Sequence, residues 1–321
     1  MKLNTRLTAL LNIELPIIQG GLAYLAYSEL ASAVSNAGGL GQITAMSLPD
    51  HHSLREEIQK TKRLTSRPFG VNFAIGQHGR SYEEMLEVAI DEDVDVISIT
   101  GGNPTPVLDR LKDTNIKTLV LVSSVRQAKK AEKSGADAVM AVGQEGGGHI
   151  GKDDTGTFVL VPQVAESVTI PVIASGGIAD GKGLMAALAL GAEGIEMGTR
   201  FIATKECVHA HSEYKRLVVE SSEIDTVVIK RVLGMPGRTL RTEFALKILE
   251  EEMKDGTYEH LKNYISGEAN QKFIYEGKDD EGFGWAGQIV GRIKDIPSVE
   301  ELFQRIIAES ETLKQKLNNL F

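Results

Sequence analysis

The chain of 321 residues holds one cysteine, one tryptophan and nine prolines, and aromatic residues make up 5% of it. A lone Cys207 excludes a disulfide within the chain and fits a reducing compartment. No apolar run approaches the roughly 18 residues that a membrane-crossing helix needs. Residues 1–6 lead into only a brief apolar stretch, without a signal-peptide core or cleavage pattern, so a cytoplasmic location is expected. Positive charge is also short: 35 basic against 44 acidic residues give a net charge of −9. That balance argues against nucleic acid or an anionic membrane as a partner. It does not exclude small anions, because a local nest of backbone amides binds phosphate on an acidic protein.

What is present is ordinary globular composition, with 42% hydrophobic and 25% charged residues. The length allows one large barrel or two domains. Glycine stands at 33 residues, and much of the excess lies in loops that follow short apolar runs. Strands are expected at 16–20, 39–45, 68–74, 95–101, 117–123, 138–144, 171–177 and 194–200, with amphipathic helices near 28–37, 49–64, 81–92, 104–114, 124–134, 159–168 and 180–190 between them. Another helix begins near 208. Gly38, Gly135 and Gly191 stand where helices should stop.

Eight alternating units in about 200 residues imply parallel strands, right-handed crossovers and a closed (β/α)8 barrel. An open dinucleotide-binding sheet would need Gly-x-Gly-x-x-Gly after its first strand, where this chain reads QGGLAY (19–24). The barrel core is assigned to 1–200, a mostly helical insertion or lid to 201–284, and helices completing the barrel to 285–321. Within the last segment an apolar helix is expected to open at 285–288 and run through Ile293, followed by an amphipathic one over 297–318.

Barrel chemistry gathers at the C-terminal strand ends, and phosphate is often held after strands seven and eight. Ser175, Gly176 and Gly177 follow the seventh expected strand; Gly198 and Thr199 follow the eighth. Consecutive glycines let amides close around phosphate without Cβ interference. A tight turn is the plain alternative. Asn72 in the third strand and Gln144 at the end of the sixth offer both donor and acceptor to a pyrimidine-like edge; an internal strand cap is the alternative. His149, exposed by Gly146, Gly147 and Gly148, is the candidate for proton transfer or substrate hydrogen bonding. His51, His52 and His78 read as solvated. His209 and His211 lack convincing tetrahedral spacing with Glu206 and Cys207, so no metal is assigned. Arg200 and Lys205 could assist with phosphate or simply form surface ion pairs. Cys207 has no evident partner base.

These motifs resemble the nitronate monooxygenase (2-nitropropane dioxygenase-like) family of FMN-dependent barrels. The resemblance runs through PIIQGG (16–21), AVSNAGGLG (33–41), PFGVN (68–72), GGHIG (147–151), residues 171–180, GTRF (198–201) and WAGQ (285–288), covering nearly the whole chain. It implies FMN contacts at Gly20, Gly21, Leu22, Asn72, Gln144, Gly147, Gly148, Ser175, Gly176, Gly177, Gly198 and Thr199, with Gln288 completing the pocket and His149 as the active-site histidine. Three activities share these motifs: oxidation of alkyl nitronates with O2 to carbonyl compounds and nitrite, FMN-dependent enoyl-acyl carrier protein reduction, and NADH:quinone reduction. GGHIG, with Ile150 where several monooxygenases carry Arg, resembles the enoyl reductases. QGGLA (19–23) replaces the Ala-Pro-Met-Ala-Gly type of the monooxygenases, whereas GKDD (151–154) and ASGG (174–177) resemble the quinone reductases.

Nitronate oxidation is the first expectation, with an NAD(P)H-dependent flavin reductase as the alternative. A non-catalytic flavin or phosphate sensor is a rival of another class, disfavoured because 212–232 and 246–281 read as polar, without an apolar docking patch. A flavin-free sugar-phosphate barrel is a further alternative. The expected partners are a small molecule (a nitronate, an enoyl thioester or a quinone) and O2, with a homodimer allowed.

Overall fold

The computed structural model describes residues 3–76 and 81–320; His78 lies outside them. Eight parallel strands form the central sheet: β1 (Ile17–Gln19), β2 (Gly41–Thr44), β3 (Phe69–Ala74), β4 (Val96–Thr100), β5 (Lys117–Val122), β6 (Ala138–Val142), β8 (Val172–Ser175) and β9 (Gly194–Met197). The label β7 belongs to Gly148–His149, outside this sheet. The order β1-β9-β8-β6-β5-β4-β3-β2 closes through a parallel bridge between Ile18 and Leu40. The expected closed barrel and its eight strands are therefore present, each strand shorter than its apolar run.

Strand alternation sorts side chains between two environments. Ile18, Leu40, Val96, Leu119, Ala138, Met140 and Ile173 form an apolar cluster inside the barrel, sealed at its N-terminal end by Leu7 and Leu11 of the helix Arg6–Leu11. The opposite positions, such as Ile17, Val71, Ile97, Val139 and Ile195, pack against the outer helices. Nearer the C-terminal end the inward positions carry Asn72, Thr100, Leu121, Val142, Ser175 and Glu196, so the interior turns polar along its axis.

The outer helices follow the sequence pattern. Asp50 and Ser124 cap helices His51–Leu64 and Val125–Lys133 through their side chains, and Gly38, Gly135 and Gly191 end helices at φ +96°, +93° and +93°. The helix Val299–Asn318 starts from a Ser298/Glu301 capping box and packs on Gly181–Ala189, where Glu309 accepts a hydrogen bond from Gly181 N at 2.8 Å. The α-helix expected from 285 to 293 is instead a short 3-10 turn, Gln288–Arg292. Its entry is held from outside: Gly287 N donates to Thr199 Oγ1 and Gln288 N to Glu145 O, both at 2.9 Å.

The insertion after β9 is mainly helical, with helices Ser212–Glu220, Glu243–Lys254, Tyr258–Leu261 and Gly267–Glu276. It also contains an antiparallel hairpin, β10 (Thr226–Ile229) and β11 (Gly237–Leu240), whose second strand pairs with β7. An apolar core including Ile229, Phe244, Ile248, Leu261 and Phe283 lies beneath it. Its surface is less polar than the sequence suggests: Val232, Met235, Met253 and Tyr258 are exposed. Among the described residues, no helix is long and apolar enough to cross a membrane.

The register of β2 depends on close approach of the helix Ser28–Asn36. A Cβ on Gly41 would stand 1.9 Å from the carbonyl oxygen of Ala31. Gly41→Ala should therefore destabilise the barrel by about 3 kcal/mol, measured as a lower denaturation midpoint.

Candidate active site

The C-terminal mouth of the barrel opens into a cavity of about 530 Å³. Its walls include inward side chains of the strands, glycine loops after β1, β6, β8 and β9, residues of the insertion, and Trp285, Gly287 and Ile289 beyond it. Gly20, Gly21 and Leu22 follow β1, and Asn72 projects inward from β3. Gly147, Gly148 and His149 come from the loop after β6, with Ser175, Gly176 and Gly177 at β8 and Gly198 and Thr199 after β9. The structure gathers all of these around one space.

Glycine is required at two of these places. A Cβ on Gly21 would lie 2.3 Å from Asn72 Oδ1, so the loop can cross the amide only without a side chain. Gly176 and Gly177 have φ +85° and +77°, consecutive left-handed residues that an L side chain would strain. Asn72 donates from Nδ2 to Ser98 Oγ at 2.8 Å, which fixes its carboxamide beside Gly21. The loops brace one another: Thr157 N donates to the Glu145 carboxylate at 2.9 Å while Thr157 Oγ1 donates to Gly176 O at 2.9 Å.

Two expected cofactor residues do not line the cavity. Beyond Val142 the chain turns outward, with Gln144 N bonded to Thr155 O at 2.9 Å, and the Gln144 carboxamide is turned to Asp154. Gln288 contributes its backbone N–H to Glu145 O rather than a side chain to the cavity. Nor do Arg200 and Lys205 reach it. Arg200 is buried against Asp295 and the Ala203 carbonyl, and Lys205 pairs with Glu301 at 3.3 Å. Burial pushes the Cys207 thiol up to about 12, which leaves it protonated and unreactive. His211 Nδ1 accepts from Glu213 N at 3.2 Å as a helix cap, and His209 lies 3.6 Å from Glu29. Among the described residues no group of three ligating side chains could hold a metal.

Sequence reasoning missed Lys230 and Glu196. Lys230 follows β10 in a left-handed turn (φ +63°), and its N–H donates to the Glu252 carboxylate. Only 6% exposed, it places Nζ 2.7 Å from His149 Nε2 and 4.8 Å from the centre of the Trp285 ring. Burial lowers its pKa from 10.5 to about 8, with Glu252 opposing the shift, so the ammonium still dominates at neutral pH. An ammonium has only donors, so Nε2 of His149 accepts and the proton of the neutral imidazole sits on Nδ1. Glu196, inward on β9, is also buried at the wall, and desolvation raises its pKa against a lowering hydrogen bond from Ser175. The alternation of β9 was the available signal for Glu196; nothing local pointed to Lys230.

A closed parallel barrel with a glycine-walled cavity at its C-terminal mouth and a histidine at the entrance has the architecture of a barrel enzyme. The sequence profile of the family "Nitronate monooxygenase" matches residues 4–81 and 73–309, and the chain belongs to that family. It is an oxidoreductase. It is 34% identical to a Staphylococcus saprophyticus protein named "Probable nitronate monooxygenase", over 98% of this chain and 100% of the relative. It is also 34% identical to the (3aS,4S,5R,7aS)-5-hydroxy-7a-methyl-1-oxo-octahydro-1H-indene-4-carboxyl-CoA dehydrogenase of Mycobacterium tuberculosis, over 100% and 99% of the two chains. Among solved structures, FabK from Thermotoga maritima superposes with a TM-score of 0.93 at 41% identity, over 99% of both chains.

A buried ammonium of this kind carries a stability penalty. The unfolded chain holds the Lys230 proton up to about 10.5 and the folded one only to about 8, so between those values unfolding takes up a proton and stability rises with pH. Lys230→Met should therefore be more stable than the parent at pH 7 by about 1–3 kcal/mol. The advantage should shrink above pH 8. Chemical denaturation at pH 7 and at pH 9.5 measures both.

Proposed function

We propose that the cavity holds FMN and that the enzyme oxidises alkyl nitronates with O2, giving carbonyl compounds and nitrite. The fit to FMN rests on the walls themselves. The left-handed pair Gly176–Gly177, with Gly198 nearby, leaves room for a phosphate at the usual barrel position. The Asn72 carboxamide offers a fixed polar edge deeper in the cavity. Gly20, Gly21, Leu22, Gly147, Gly148, Ser175 and Thr199 supply the remaining contacts. When bound, the flavin supplies the redox chemistry; the protein's part is binding, orientation and electrostatics.

The observation that carries the choice of substrate is the contact between Lys230 and His149. A nitronate bears full negative charge on its oxygens before any reaction, whereas an enoyl thioester or a quinone is neutral. The ammonium puts positive charge and donors at the cavity wall, where those oxygens can be held. Because Nε2 is engaged by Lys230, His149 is set as a donor and not as a base. The substrate therefore arrives already deprotonated.

A reductase reading is favoured by a different observation. Met235, Ile265, Ile274 and Phe283 of the insertion extend the cavity with apolar wall, more than a short alkyl nitronate uses. The likeness to a carboxyl-CoA dehydrogenase agrees with a longer acyl substrate; NAD(P)H would then be the co-substrate.

Anaerobic mixing of the yellow protein with NADH or NADPH separates the two readings. The flavin should stay oxidised, and aerobic addition of an alkyl nitronate should release nitrite. Rapid bleaching by either nucleotide would instead select the reductase, and retained flavin without any turnover would select a sensor. Nitronates should be turned over far faster than the parent nitroalkanes. Lys230 loses its proton above about pH 8, so kcat/KM for a nitronate should decline there in the wild type and not in Lys230→Met. His149→Ala should lower kcat/KM by roughly 100-fold.

A further inference from the structure

We propose that Glu196 faces the bound cofactor as a neutral carboxylic acid and donates a hydrogen bond to it, so that this residue belongs to the binding surface of the cavity. The inference rests on the FMN reading above and adds a residue and a protonation state to it.

The placement comes from the barrel itself. Glu196 stands in register with Ile18 of β1 and Ser175 of β8, both neighbours on the inner wall, and it lines the cavity. Its residue is 6% exposed, and among the described residues it makes no ion pair. Its carboxyl is held in place from two sides. Ser175 hydrogen-bonds to it, and a Cβ on Gly20 would come within 3.1 Å of its Oε1.

The groups around it give an anion little support. Ile18 on β1, Gly20 just after it and Ser175 on β8 are uncharged. The other ionisable side chains of the cavity are elsewhere engaged. The Glu145 carboxylate accepts from Thr157, Tyr214 donates to the Trp285 carbonyl at 2.5 Å, and Lys230 lies against His149. Tyr24 and Tyr258 complete that set. Burial without a counter-charge favours the protonated acid, in agreement with the upward direction of the Glu196 pKa. A nearby phosphate dianion would favour it further. A carboxylic acid differs from the amides and hydroxyls around it in having a strong O–H donor. On the inner wall of the cavity, that donor is positioned to meet a cofactor acceptor.

Infrared difference spectra of the FMN-loaded protein, oxidised minus chemically reduced, test this without relying on turnover. The wild type should show the C=O stretch of a protonated carboxyl that shifts when the flavin is reduced, and Glu196→Gln should lack it. Because an amide keeps a donor, Glu196→Gln should retain FMN within about threefold of the wild-type affinity, whereas Glu196→Ala should lose about tenfold. Ser175→Ala provides a second reading if the Glu196 variants fail to fold: the carboxyl band should move. Superimposable spectra for wild type and Glu196→Gln, or an unmoved band in Ser175→Ala, overturn the proposal while leaving FMN binding intact. Failure of Glu196→Gln alone to hold FMN also overturns it, since it would require an ionised carboxylate. A wild-type protein that binds no FMN overturns the cofactor reading and this proposal together.

Discussion

Closure of the barrel between its first two strands is the constraint on which the site depends. It is a narrow seam. Leu40 N donates to Ile17 O and Gln19 N donates to Leu40 O, both at 2.9 Å. Just above them the Gln19 and Gln42 side chains lock across the same gap, with Gln42 N on Gln19 Oε1 at 2.9 Å and Gln42 Nε2 on Gln19 O at 2.8 Å. Once the seam is shut, every strand has one inner and one outer face, and the period of two decides what enters the interior. The lower inner rows are largely aliphatic. The upper rows carry Asn72, Ser175 and Glu196, and the glycine loops above them leave the space open. An open sheet would have left Asn72 on β3 far from Ser175 and Glu196, which are cross-strand neighbours on β8 and β9.

The insertion is part of this construction and not a detached cover. Its strand β11 pairs with β7, so the main chain of His149 is a strand partner of Gly237, and Ile150 N bonds to Pro236 O at 3.0 Å. That sheet is what brings Lys230 to the imidazole, although the two residues are 81 positions apart. Glu252, on the helix Glu243–Lys254, accepts the Lys230 N–H and so fixes the turn that aims the side chain. The histidine therefore takes its tautomer from a segment that contributes no barrel strand.

What could be read from the sequence follows from the range of each interaction. The eight strands, the helix stops at Gly38, Gly135 and Gly191, and the glycine loops are local features, and each stands where the pattern put it. Gln144 and Gln288 failed as cavity residues because position along the chain is a poor guide to direction once a strand has ended. Two residues after Val142 the chain bends towards Thr155, and the Gln144 side chain leaves with it. Arg200 adjoins the glycine loop in sequence, yet its guanidinium turns inward to Asp295 and the Ala203 carbonyl. Glu196 was hidden inside what looked like an apolar run, where only strict alternation singles it out. Lys230 had no local signature, since its pairing with His149 exists only after the hairpin has docked.

The same burial acts on the two missed residues in opposite chemical senses. At the mouth it weakens the hold of Lys230 on its proton, yet leaves the ammonium dominant at neutral pH; on the wall it drives Glu196 towards the neutral acid. The remaining carboxylate in the lining, Glu145, is tied to Thr157 N. The space thus offers a cation and several donors with its negative charge either suppressed or engaged, although the chain as a whole carries −9. Two of the residues around it, Tyr24 and Lys230, hold left-handed backbone at φ +66° and +63°, which costs about 1 kcal/mol or more for each such non-glycine residue. Strain and desolvation concentrated on one cavity are destabilising for the empty fold. They become useful when the occupant is anionic at its phosphate end and at its reacting end, because the field it needs is then already in place and no side chain has to be reorganised on binding.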